Sequence, residues 1–214
     1  MKSIREIYRI GYGPSSSHTM GPQRAAEEFK KKYPRAASYT VELFGSLAAT
    51  GKGHLTDKVI MDTFAPITVQ ITWKGKETLP LHPNGMNFKA LERNGAVIAD
   101  WTVYSTGGGA IRGSEDWHTP EPAVYPLTTM DDILQWKENT GGNLWEFVEF
   151  YEGKEIWTYL EIVWDTMKDA IRSGLNNEGL LPGSLRLQRR AASYKTKSVN
   201  SSRIMREIGS VSAY

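Results

Sequence analysis

Apolar and polar positions alternate in two ways along this chain, with a period of two in the first half and a helical period in the second. "SYTVELFG" (Ser38 to Gly45) puts Tyr39, Val41 and Leu43 on one face, as a half-buried strand does. "PITVQITW" (Pro66 to Trp73) and "AVIADWTVYS" (Ala96 to Ser105) alternate likewise; "KGKE" turns the chain after the first, and Gly107 to Gly109 stop the second. A helix is predicted from Gly21-Pro22, where proline suits the first turn, through Tyr33. Another is predicted over Thr56 to Phe64, with Thr56 as its cap. "SIREIYRI" spaces Ile4, Ile7, Tyr8 and Ile10 as a short helix lying on a core.

From Asp131 the pattern is helical, through "DDILQWKENTGG", "NLWEFVEFYEG" and "KEIWTYLEIVWDTMKDAIRSGL". In the last of these Trp157, Leu160, Trp164, Met167 and Ile171 make a broad apolar stripe, read here as core rather than as a ligand box. Gly179, Pro182 and Gly183 in "NNEGLLPGSLRLQRRA" then signal a linker, followed by a basic, Ser-rich, weakly helical stretch without a C-terminal cap. The predicted fold class is α/β (α+β), a mixed β-sheet with packed helices over 1–178. Residues 179–214 are expected to hold the linker and the start of an incomplete helical second domain.

Composition narrows the possibilities. The 214 residues are 40% hydrophobic and 23% charged, as in ordinary soluble domains. No stretch approaches the roughly 18 consecutive apolar residues of a membrane span. "MKSIREIYRI" has no apolar core of a signal peptide, so a cytoplasmic protein without membrane contact is expected. The absence of cysteine excludes disulfides, thiol nucleophiles and Cys-held metal within this chain. The net charge of +2 is uneven, with 7 basic and 1 acidic residues from Ser184 to Tyr214. That tail lacks the interleaved aromatics of a single-strand platform, so no nucleic-acid partner is expected.

Three loops concentrate polar side chains among glycines. Ser15, Ser16, Ser17, His18 and Thr19 precede the helix at Pro22, where backbone N–H groups and hydroxyls suit a carboxylate or phosphate. An ordinary Ser/Thr cap is the simpler reading of the same residues. "GSLAATGKGHLTD" (Gly45 to Asp57) leaves a strand and carries His54 on an open loop, where an imidazole can act as general base or stand as a plain surface group. Gly53 follows Lys52, so this is no Walker loop. The third loop pairs "HPNGM", with His82 and Asn84 as polar contacts, with "STGGGAI", whose glycines let backbone approach a ligand or another subunit closely. His118 lies in a proline-rich loop and reads as structural.

Taken in order, "GPSSSHTMGPQRA", "FGSLAATGKGHLTD", "HPNGM" and "STGGGAI" resemble the β domain of the iron–sulfur-dependent L-serine dehydratases. "EGLLPGSLRLQRRA" resembles the joint into that family's α domain, and the likeness is weakest across Gly113 to Gly174. The resemblance implies a lyase that converts L-serine to pyruvate and ammonia in amino-acid catabolism and gluconeogenesis. It implies His54 as the catalytic base, Ser15, Ser16, Ser17, His18 and Thr19 as the substrate-carboxylate loop, and His82 and Asn84 as lining of the same cleft. It also implies a 4Fe-4S cluster whose cysteines belong to an α domain. This chain has no cysteine, so the cluster is expected to come from an α domain or subunit, and the isolated chain to be inactive. A homo-oligomer is expected. A non-catalytic serine-sensing or scaffolding module is the other reading left open.

Overall fold

A computed structural model of the chain describes residues 1–181 and 186–199, and within them two compact units. One unit is Gly11–Pro120; the other combines Met1–Ile10 with the chain from Glu121 onward. The division therefore falls inside the stretch 1–178 expected to be one domain. Among the described residues no helix is long and apolar enough to cross a membrane.

The Gly11–Pro120 unit holds a five-stranded mixed sheet. Strands β1 (Ser38–Phe44), β2 (Val69–Lys74), β3 (Gly85–Leu91), β4 (Val97–Gly107) and β5 (Ala110–Gly113) lie in the order β2-β1-β3-β4-β5. β1 and β2 are parallel and the remaining neighbours antiparallel. Helices α2 (Gly45–Thr50) and α3 (Thr56–Phe64) fill the crossover from β1 to β2, and α1 (Gly21–Lys32) precedes β1. The predicted strands and both predicted helices of this half are present. The sequence pattern assigns no strand to β3, of which only Gly85 and Met86 fall in the "HPNGM" turn, nor to β5, which is four residues long.

Strand register explains the core. Tyr39, Val41 and Leu43 stand opposite Ala90, Phe88 and Met86, and all six are buried. α1 and α3 cover this face with Phe29 and Phe64, both at most 1% exposed. Phe64 stacks on Tyr39 at 4.1 Å, and Phe29 meets Phe88 at 5.6 Å and Trp101 at 6.1 Å. Each such side chain removes enough apolar area from water to contribute about 1.5–3 kcal/mol. At their leading ends the Thr56 hydroxyl donates to the His18 carbonyl, just ahead of α1. At their trailing ends Lys30 Nζ donates to the Thr63 and Ala65 carbonyls. Bonds of that order make α1 and α3 parallel, with their N-termini level.

The other unit contains α4 (Met130–Thr140), α5 (Leu144–Glu152), α6 (Glu155–Asn176) and α7 (Ala191–Val199). The Thr129 hydroxyl caps α4, and Asn143 with Glu146 forms a capping box on α5. Two expectations fail here. "SIREIYRI" makes only a 3-10 turn at Ile4–Glu6 and leaves Ile7, Tyr8 and Ile10 exposed; its leading end is tied down by a side chain far along the chain. The α6 stripe is not core either: Trp157, Trp164 and Met167 are 37%, 55% and 45% exposed. Only Ile156 and Val163 of that helix are buried, since α5 and α7 are its main neighbours among the described residues. The linker residues 182–185 and the tail from 200 lie outside the described residues.

Glu152 is the acceptor that holds the N-terminal segment. Its carboxylate takes hydrogen bonds from the Ser3 hydroxyl (2.8 Å), the Ile4 N–H (2.7 Å) and the Tyr125 hydroxyl (2.8 Å). Burial alone would raise its pKa, but these donors and the nearby Arg5 charge together hold it below the usual carboxylate value. A depressed folded pKa means the group stabilises fully above the ordinary value of 4.5, and that contribution fades as pH falls through the folded one. Thermal melts followed by helical circular dichroism should show Glu152→Gln less stable than wild type at neutral pH. The difference should shrink as pH drops below 4.5.

Candidate active site

The four motifs that stood apart in sequence meet at the level N-termini of α1 and α3. Ser16–Met20 is a single π-helical turn running without a break into α1, so the serine cluster is the first turn of a longer helix rather than a loose loop. Ser15 caps it, its hydroxyl accepting the His18 N–H at 3.1 Å. The leading N–H groups of any helix lack intrahelical acceptors, and Ser16 and Ser17 stand at that leading end. Ser16 is exposed and Ser17 half-buried.

Contacts among the motifs close into a ring. The buried Ser105 hydroxyl of β4 donates to the Ser17 carbonyl at 2.8 Å. Gly21 permits that approach, because a β-carbon there would lie 2.2 Å from Ser105 Oγ. Ser105 N–H in turn donates to the Asn84 carbonyl at 3.0 Å. The Pro83 carbonyl accepts from Ser46 N–H at 3.2 Å, an approach open only to glycine at position 45, which has φ +49° and would otherwise set a β-carbon 2.4 Å from that oxygen. Ser46 Oγ lies 3.0 Å from His18 Nε2, which returns the circuit to its start.

The second motif is not an open loop. It forms α2 and a tight turn, and α2 carries the partners of both histidines: Ser46 for His18 and the Thr50 carbonyl for His54. His54 Nδ1 lies 3.0 Å from the Thr50 carbonyl. A carbonyl only accepts, so Nδ1 carries the proton and neutral His54 keeps its lone pair on Nε2. The His18 and His54 ring centroids are 4.9 Å apart, and both side chains are half-buried. Burial first, and the neighbouring His54 second, push the His18 pKa below its ordinary value against a backbone hydrogen bond at Ser46. His18 is therefore neutral at neutral pH. Two helix N-termini ending side by side add positive potential that favours an anion and disfavours a second imidazolium.

His82 has the opposite tautomer. Its Nδ1 accepts the Asn84 N–H at 3.1 Å, which puts the proton of the neutral ring on Nε2. As neutral rings the two therefore differ: His54 offers an acceptor nitrogen and His82 a donor N–H. Asn84 Nδ2 is 3.4 Å from the Ser105 carbonyl. Thr19, grouped with the carboxylate loop in the sequence, is fully buried, with its hydroxyl donated to the His54 carbonyl at 2.8 Å. The Thr56 cap did not form: Leu55 holds the N-cap position at φ +60°, and the Thr56 hydroxyl goes to His18 instead. Gly107, Gly108 and Gly109 all have positive φ and build the β4–β5 turn. His118 is exposed in the loop after β5.

Sequence reading missed Ser46, Thr56 and Ser105 as contributors, although each lay inside a quoted motif. Their signal was density of hydroxyls beside small residues, which one-dimensional spacing does not separate from turns and caps. Replacing Gly21 by Ala should cost about 1–3 kcal/mol by overpacking against Ser105. Gly174→Ala, on open α6 surface with nothing within 4 Å, should instead stabilise by about 0.5–1 kcal/mol. Chemical denaturation of the two variants checks the contrast.

Residues 3–69 and 63–116 match the family described as serine dehydratase beta chain, nearly the span of the Gly11–Pro120 unit. The L-serine dehydratase of Haemophilus influenzae is 34% identical over 90% of this chain and 53% of its own length. L-serine dehydratase 1 of Escherichia coli is 32% identical over 95% of this chain and 56% of its own. The L-serine dehydratase of Streptomyces coelicolor is 31% identical over 91% and 54%. The chain spans about half the length of these curated relatives.

Proposed function

The chain belongs to the serine dehydratase beta chain family, and on that premise we propose that it supplies the substrate-binding and proton-transfer half of an L-serine ammonia-lyase. The observation that carries the reading is the His54 tautomer, Nδ1–H to Thr50 with Nε2 open, beside a helix mouth rich in N–H and hydroxyl donors. Ser16 and Ser17, on a turn capped by Ser15, take the substrate carboxylate through backbone N–H groups and hydroxyls. Neutral His18 lines that pocket and keeps a second positive ring away from His54. His82, with an Nε2–H to donate, and Asn84 supply further polar contacts from the turn that bonds to Ser105.

His54 Nε2 then removes the Cα proton, the C–H electrons form the new double bond, and the β-hydroxyl leaves. The released aminoacrylate tautomerises and takes up water to give pyruvate and ammonia. Expulsion of hydroxide requires an electrophile. The family implies a 4Fe-4S cluster, and such clusters are held by cysteine thiolates. This chain has no cysteine, and no group of three or more His, Asp or Glu among the described residues could hold a metal ion, so these residues do not fit that group. A cluster of that kind would be held by cysteines outside these 214 residues and would supply the electrophile for the departing hydroxide.

The isolated chain should release no pyruvate from L-serine even after anaerobic iron–sulfur reconstitution, and adding a cysteine-bearing α polypeptide should restore release. Turnover by the chain alone would overturn the division of labour. In the assembled enzyme His54→Ala should lower kcat by about two to four orders of magnitude, the span of a lost general base. Ser16→Ala should raise KM more than it lowers kcat, as expected of a group that holds substrate and transition state alike.

A further inference from the structure

Two buried threonines tie the histidines to one another. Thr19 follows His18, and its hydroxyl donates to the carbonyl of His54 at 2.8 Å. Thr56 lies two residues beyond His54, and its hydroxyl donates to the carbonyl of His18. Each threonine thus bonds the peptide of the histidine on the other strand of chain, and the two bonds close a ring between segments 18–19 and 54–56. Both side chains are 0% exposed.

Neither bond is one that secondary structure demands. Thr56 opens α3, where a hydroxyl ordinarily caps its own helix, yet this one is turned onto the π-helical turn ahead of α1. Thr19 also accepts the Ser15 N–H at 3.3 Å, so its oxygen is used both as donor and as acceptor. β-Branching restricts χ1 and holds each hydroxyl on its target.

We infer that Thr19 and Thr56 are positioning residues, a reciprocal latch that sets the separation and orientation of the His18 and His54 rings, and that Thr19 does not contact substrate. The latch acts on peptide carbonyls, upstream of the rings. Released, the His54 peptide keeps only the turn bonds to Gly51, and its ring is held less firmly on the Thr50 carbonyl that fixes the Nδ1–H tautomer. The catalytic consequence rests on the proposed role of His54 as base; the effect on ring tautomer does not.

The test is long-range proton–nitrogen NMR of the full chain at a pH where the imidazoles are neutral. Wild type should show His54 as a single Nδ1–H tautomer. Thr19→Val and Thr56→Val, which keep shape and lose the hydroxyl, should show an averaged tautomer at His54 in a folded spectrum. Thr19→Ser and Thr56→Ser should restore the wild-type signal. An unchanged tautomer in both folded valine variants overturns the latch. So does an averaged tautomer in either serine variant, a measurement that holds even if the valine variants do not fold. In the assembled enzyme Thr19→Val should lower kcat by up to about 10²-fold, the scale of an ångström misplacement, with KM for serine little changed. A raised KM at unchanged kcat would make Thr19 a substrate ligand instead. Absence of dehydratase activity in the wild-type assembly would overturn the proposed function and leave the NMR result to decide the latch.

Discussion

Everything at the site depends on two parallel helices ending level with each other. Phe29 and Phe64 sit at corresponding positions, each eight residues beyond the first residue of its helix, and both pack on the same aromatic floor of Tyr39 and Phe88. Counted back from these anchors, His18 lies 11 residues before Phe29 and His54 lies 10 before Phe64, so the two histidines fall at nearly the same level. That places His18 beside His54 and lets both helix dipoles point into one small volume. The hydroxyl bonds at the helix mouths set the fine positions; the aromatic anchors bring the mouths together in the first place.

Much of this was legible in the chain. Strict alternation exposed β1, and the bounds Thr56–Phe64 follow from helical spacing closed off by Pro66. The four site motifs were visible because each joins glycine to polar groups, and all four converge. What stayed hidden is relational. A hydroxyl looks the same in sequence whether it caps its own helix or braces a distant carbonyl, so Thr56 reads as a cap. The α6 stripe misled for the converse reason. Helical periodicity reports that a face is apolar, not that the described chain has something to cover it, and Trp164 and Met167 stand open.

The two units follow different structural logics. In Gly11–Pro120 the polar groups are concentrated at one end of a dry core, and small residues at Gly21 and Gly45 allow backbones to approach within bonding range. In the other unit a single carboxylate, Glu152, gathers three donors from residues far apart in sequence. The family match falls almost wholly on the first unit, which is also where every proposed site residue lies. The candidate site and the helices of the remaining chain thus rest on separate cores.

Leu55 stands in the left-handed region at φ +60°, immediately after the histidine assigned to take the proton. Such a conformation costs an L-residue about 1–2 kcal/mol that glycine would not incur. Glycine would also widen the range of φ and ψ open to the turn, and His54 is held by that turn as much as by its hydrogen bond. Position 55 therefore sets thermodynamic stability against the stiffness of a working side chain. Selection for heat resistance alone would drift toward glycine at this position and would leave the His54 ring less firmly oriented.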